Sequence, residues 1–220
     1  MRNKSLLLSV FCFVITQLAG CSQSIKSVGE TAKLAIFGQP DVELPVQKIE
    51  QLPYASAYLK VGKAPQAFVV LAASEQGRHK WVTADKNMVV TQSGRVVKTI
   101  GFDEDIVYVS NTGVDPLFLG LLKSDTPKKW HYKTVWSQVF KGGYEQFSEF
   151  ESKGYETVTI LEKTQQLHRF DEKVTVPALN KTYTNNYWLN PENGMVIKAN
   201  QYMGPDLALI QFTILKPYAQ

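Results

Sequence analysis

Trp130-His131-Tyr132-Lys133-Thr134-Val135-Trp136-Ser137 alternates without a break. Trp130, Tyr132, Thr134 and Trp136 point to one face of an extended chain, while His131, Lys133, Val135 and Ser137 point to the other. One face is aromatic and the other mixed, the signature of a strand with one side in a core. Upstream, Phe68 to Ala73 is a continuous apolar run, Arg78 to Ala84 a mixed one around Trp81, and Met88 to Thr91 another. Glu75-Gln76-Gly77 and Asp85-Lys86-Asn87 separate them as turns. Gln92-Ser93-Gly94-Arg95 leads into Val96 to Ile100 at hairpin spacing, and Ile106 to Val109 follows. Downstream, Val158 and Ile160 alternate with Thr157 and Thr159, with Gln165 to Val174 returning beside them. Tyr183, Tyr187 and Leu189 run into the compact turn Asn190-Pro191-Glu192-Asn193-Gly194 before Met195 to Tyr202. Past the reversal at Gly204-Pro205-Asp206, Ile210, Phe212 and Ile214 form the apolar face of a last strand.

Many short strands with near-adjacent turns, and no strand-helix-strand alternation, predict an all-β, mainly antiparallel fold. The expected form is a large curved meander sheet or a partly open β-barrel with one or two short helices covering it, because so many strands must curl or protect their edges. One helix is expected over Val28 to Phe37, where Val28, Ala32, Ala35 and Ile36 share a face and Gly38 and Pro40 supply a stop. A single helical turn is expected through Leu117, Phe118 and Leu121, opened by Asp115-Pro116. Asp41 to Pro53, with Pro45 and Pro53, reads as an irregular crossing segment. A membrane-spanning barrel is the competing all-β form, but strands such as Arg78 to Ala84 lack its lipid-facing apolar band and aromatic girdles.

The N-terminus carries a different message. Arg2 and Lys4 precede an uncharged run from Ser5 to Gln17, too short to cross a hydrocarbon core, and polar residues resume at Ser22. That is an export signal, and it ends in Leu18-Ala19-Gly20-Cys21, which matches the bacterial lipobox. Residues 1–20 are expected to be removed by cleavage between Gly20 and Cys21, leaving residues 21–27 as a lipidated tether and 28–220 as one domain facing the periplasm. No cofactor is expected beyond the covalent diacylglycerol and N-acyl lipid on Cys21, whose acyl chains each contribute about 0.8 kcal/mol per buried methylene. Cys12 leaves with the signal, so Cys21 is the one cysteine of the mature chain and no intramolecular disulfide can form. Ser22, where enteric-type sorting reads Asp as an inner-membrane retention signal, implies transfer to the outer membrane.

Composition limits the chemistry. Losing Arg2 and Lys4 leaves 22 basic residues against 20 acidic, a net charge of +2, with no basic stripe for nucleic acid. His79, His131 and His168 lie far apart, with no HExxH, no Gly-x-Ser-x-Gly elbow and no P-loop in the chain, so neither a metal site nor a catalytic constellation is expected. Asp103-Glu104-Asp105 reads as a solvated loop, since adjacent carboxylates on an extended chain point apart, and Gly94-Arg95 as a turn followed by a surface charge. Trp81, Trp130, Trp136 and Trp188, with ten tyrosines, suit stacking against sugar rings and equally suit a β-core.

Tyr54-Ala55-Ser56, Trp81, the run from Thr91 to Phe102 (Thr-Gln-Ser-Gly-Arg-Val-Val-Lys-Thr-Ile-Gly-Phe) and Tyr187-Trp188-Leu189-Asn190-Pro191 together resemble the YjbF lipoprotein family, which includes the group 4 capsule lipoprotein called GfcB or YmcC. The lipobox belongs to the same pattern. The resemblance implies an outer-membrane lipoprotein encoded with capsule or exopolysaccharide genes, working beside an outer-membrane β-barrel and periplasmic proteins of a polysaccharide export system. It carries over no catalytic residue, and only Cys21 as lipid acceptor. The expected function is therefore that of a non-enzymatic accessory factor that binds polysaccharide or protein partners. A hydrophobic-ligand or lipoprotein-handling half-barrel is the alternative, and a glycan-cleaving enzyme, which needs a close pair of acids in a cleft, stands third.

Overall fold

The computed structural model describes residues 40–218, residue 141 excepted. The export signal, Cys21 and the helix expected over Val28 to Phe37 lie outside the described residues. Twelve strands form one antiparallel sheet: β1 (Ser56–Val61), β2 (Ala67–Glu75), β3 (Arg78–Val82), β4 (Met88–Gln92), β5 (Arg95–Ile100), β6 (Ile106–Val109), β7 (Lys129–Trp136), β8 (Tyr144–Ile160), β9 (Lys163–Val176), β10 (Lys181–Leu189), β11 (Val196–Tyr202) and β12 (Leu209–Lys216). Their order is β5-β4-β3-β2-β1-β12-β11-β10-β9-β8-β7-β6, a meander in two halves joined by the β1–β12 ladder. The sheet curls into a nearly closed barrel, as the all-β reading requires.

Closure happens where the end strands β5 and β6 follow one another in sequence. Thr99 Oγ1 accepts from Ile106 N at 2.9 Å and donates to Asp105 Oδ1 at 2.8 Å. Across the interior, Gln201 on β11 ties down β5, its amide accepting from Val96 N at 3.1 Å and donating to the Gly94 carbonyl at 3.0 Å. Gly94, at φ +85°, needs its missing side chain twice over: a Cβ there would lie 2.4 Å from Val196 Cβ on β11.

Strand β7 behaves as its sequence dictates. Trp130, Tyr132, Thr134 and Trp136 are buried, His131 is exposed and Lys133 and Val135 are half-buried. The outward residues of β8 are exposed in alternation, with Glu145, Glu149 and Glu151 among them, a charged face unlike a lipid-facing band. Strands β8 and β9 make a long hairpin, of which Thr157 to Ile160 is the distal end. Its two-residue turn, Leu161-Glu162, has both residues at positive φ, 50° and 64°, the sense of turn that matches strand twist.

Two expectations about local structure are corrected. Asp41 to Pro53 is not wholly irregular: it contains helix α1 (Val46–Gln51). The prolines that read as breakers are its boundaries, Pro45 presetting φ at −55° at the N-cap and Pro53 holding Leu52 extended at the C-cap. The acidic run is not a solvated loop either. Glu104 is buried and accepts from Ser137 Oγ, Gln138 N and Val139 N at 2.8–2.9 Å, while Asp105 caps Gly101 N at 3.0 Å and Phe102 N at 3.3 Å. The expected helical turn is α2 (Pro116–Leu119), with Asp115 as its N-cap.

Candidate functional site

The interior is not purely apolar. Phe170, Glu172, Val174 and Val176 share the buried face of β9, which places a carboxylate inside with no exposure at all. Opposite it lies Arg95, the first residue of β5, 4% exposed and so not the surface charge its sequence context suggested. Position 94 turns the chain, as expected; position 95 then turns inward.

All five N–H donors of Arg95 are engaged. The Nε donates to Asp115 Oδ2, and Nη2 to Asp115 Oδ1 at 3.2 Å and Glu172 Oε1 at 2.9 Å. The Nη1 donates to Glu172 Oε2 at 3.1 Å and Tyr187 Oη at 3.0 Å. Asn185 Nδ2 adds a bond to Glu172 Oε2 at 2.9 Å, and the guanidinium lies 4.4 Å from the Trp130 ring centroid, over a ring stacked on Tyr132. Burial opposes the charge on Arg95, but the two carboxylates outweigh it and raise its pKa well above the ordinary value. The cluster holds one cation and two carboxylates; burial raises the Asp115 pKa in spite of Arg95. Burial likewise pushes the Tyr132 and Tyr187 hydroxyls well up.

A buried charge is tolerated only when paired and hydrogen-bonded. Here the pairing is complete, so Arg95 has no donor left for a phosphate or a sugar acid. The network is a structural tie: through Asp115 it fastens α2 and the β6–β7 connection to the barrel wall. A cavity of ≈ 30 Å³ beside it, lined in part by Tyr132, Tyr183, Asn185 and Gln201, has room for one water.

The tie shapes a larger feature. At the end of the barrel carrying the β2–β3, β4–β5 and β10–β11 turns, a cleft of ≈ 920 Å³ opens between the Leu117–Lys123 segment and strands β3, β4, β11 and β12. Trp81, Leu117, Val196, Ala199 and Phe212 line it and are buried. Around its mouth stand Ser93, Lys123, Glu192 and Asn193, with the exposed rings of Phe118 and Tyr218. His79 lies half-buried on the wall, edge-on to Trp81 and Tyr218, and burial lowers its pKa.

The four tryptophans are 1–5% exposed and serve the core in separate places. Trp81 donates to Thr91 Oγ1 at 2.9 Å, Trp130 to the Asn111 carbonyl at 3.1 Å, Trp136 to the Met203 carbonyl at 2.7 Å and Trp188 to Glu156 Oε2 at 2.9 Å. Only Trp81 reaches the cleft. The histidines are also apart in the sheet, on β3, β7 and β9: His131 Nε2 is 2.8 Å from Glu145 Oε2, and His168 Nε2 is 2.7 Å from Ser152 Oγ. Gly20 and Cys21 lie outside the described residues. The sequence reading missed the Arg95–Asp115–Glu172 triad. The available signal was parity, since Glu172 falls in step with Phe170 and Val174 on an inward face.

The same architecture recurs in a solved structure, the hypothetical lipoprotein YmcC from Escherichia coli (K12), with a TM-score of 0.74, 28% identity, and coverage of 86% of this chain and 96% of that one. The lipoprotein GfcB of Escherichia coli (strain K12) is 32% identical over 216 residues, 97% of this chain and 99% of its own. The lipoprotein YjbF of the same organism is 33% identical over 204 residues, 92% of this chain and 94% of its own. With the family model described as "Group 4 capsule polysaccharide lipoprotein gfcB, YjbF" matching residues 29–215, the chain belongs to that family.

Proposed function

We propose that this protein is an outer-membrane lipoprotein, anchored through lipid on Cys21 and facing the periplasm, that serves capsule or exopolysaccharide assembly or export by binding and not by catalysis. Family membership supports the process, and the lipobox supports the anchor. The observation that carries the binding role is the cleft: its walls carry the apolar side chains of Trp81, Leu117 and Phe212 and its border the exposed rings of Phe118 and Tyr218, a composition that recognises partners. Four charged groups inside the barrel, Arg95, Asp115, Glu172 and Glu104, are satisfied by one another or by neighbouring backbone and hydroxyl groups. The partners of this role are outer-membrane lipid, an outer-membrane β-barrel and periplasmic proteins of an export system, and the polysaccharide itself.

The test is exported polysaccharide in a strain lacking the gene and complemented with variants. Cys21→Ala should leave the membrane fraction and abolish export, while Phe118→Ala and Tyr218→Ala, both at exposed positions, should lower export in graded steps of a few-fold each. A folded, correctly localised Ala variant of His79, His131 or His168 with complete loss of export, together with glycan turnover by purified wild type, would make the protein an enzyme instead.

A further inference from the structure

The cleft has a chemical asymmetry that narrows what enters it. Much of its inner lining, Trp81, Leu117, Val196, Ala199 and Phe212, is hydrocarbon, with His79 half-buried on one wall. Trp81 Nε1 donates to Thr91 Oγ1 at 2.9 Å, so the indole has no donor left for a ligand. A sugar seated there would lose water from several hydroxyls without replacement, at roughly 1–3 kcal/mol for each unsatisfied group. A hydrocarbon chain loses nothing polar and gains about 25 cal/mol per Å² of apolar surface removed from water.

The mouth is the opposite. Ser93, Asn193, Glu192 and Lys123 are polar or charged, and the Lys123 amine forms no ion pair among the described residues. Its side chain folds back towards Gly120, the ammonium nitrogen 3.4 Å from where a Cβ on that glycine would stand, so the cation lies along the cleft border. Gly120 is thereby part of the arrangement, since a larger residue would displace the lysine. Glu192, in the β10–β11 turn, lines the same mouth, so this border carries one cation and one carboxylate, and Lys123 is the group on it that complements an acidic head.

We propose that the cleft holds the hydrocarbon chain of a single-chain amphiphile, with an acidic head group at Lys123. This rests on the cleft being the working site of the protein, and it names that site's ligand class: a fatty acid, or the acyl portion of a larger acidic lipid. The sugar polymer would then meet the exposed border and not the interior.

Full-length protein in membrane vesicles, irradiated with a photoactivatable palmitic acid, tests the idea. Label should concentrate on peptides spanning residues 115–124 and 191–199, at about tenfold the level on the exposed β8 peptide, and unlabelled palmitate should compete it away. Phe118→Asp, a change at an exposed position, should remove most of the cleft label. Lys123→Glu should weaken competition by palmitate about tenfold and leave competition by a neutral monoacylglycerol unchanged. Label spread over the outer face in proportion to exposure, or unaffected by Phe118→Asp, would overturn the inference. So would competition by soluble capsule fragments in place of palmitate. Export assays on the same variants separate the two ideas: lost label with normal export defeats the proposed function alone, while lost export with normal label defeats the ligand assignment alone.

Discussion

Arg95 shows how one side chain can organise a barrel. Its planar fork reaches both carboxylates and Tyr187 at once, a geometry lysine cannot reproduce. Arg95→Met keeps much of the volume but leaves Asp115 and Glu172 facing each other unpaired in the interior, and should cost about 3–5 kcal/mol in urea unfolding. The pH dependence has a defined sign. Burial already raises the Asp115 pKa, and removing the cation raises it further, so the folded variant holds protons the unfolded chain has released. Stability of Arg95→Met should therefore fall as pH rises from the ordinary carboxylate range through the raised folded value. A loss that is the same at pH 5 and pH 8 would mean that the carboxylates are not buried together.

The β8–β9 hairpin makes a different compromise. Residues in the left-handed region cost about 1–2 kcal/mol each when they carry an ordinary side chain, and the turn uses Leu161 and Glu162 for both positions. Replacing the pair by Asn-Gly should raise stability by about 1 kcal/mol and move the urea midpoint upward without changing the fold. A lowered midpoint would show that these side chains earn their place through contacts at the tip. The register of this hairpin was accessible from alternation around Thr157 to Ile160, but the length of β8 was not. Glu145 to Tyr155 mixes charged and aromatic residues on the outward side, and only pairing with β7 and β9 reveals that it is all one strand.

For the whole molecule, stability depends on how the sheet folds back on itself. Gln201 joins β11 to β5 although five strands separate them in the sheet order. Gln201→Ala strands the Val96 N–H and the Gly94 carbonyl in the interior and should cost about 2–4 kcal/mol. It should also speed amide exchange at Val96 more than at the distant β8–β9 ladder. Equal protection in both places would mean that closure does not depend on this side chain. Because Gly94 and Ser93 border the cleft, loosening the tie should also change cleft shape, which links the stability of the barrel to its proposed binding role.

The all-β class, the antiparallel meander, most strand positions, the α2 turn and the family are all legible in the amino-acid sequence. Each of these is a local property: alternation, turn chemistry and short motifs are written in neighbouring residues. It also carries the lipobox at Cys21, whose meaning is chemical and independent of the fold. Tertiary structure alone decided that Arg95 and Glu104 are interior, that the prolines of Asp41 to Pro53 bound a helix, and that the four tryptophans pack in the core. Burial of a charge depends on which carboxylate comes to meet it, and Arg95 and Glu172 are 77 residues apart in the chain. The cleft is non-local for the same reason, its lining drawn from turns and strands that approach one another only once the sheet has curled.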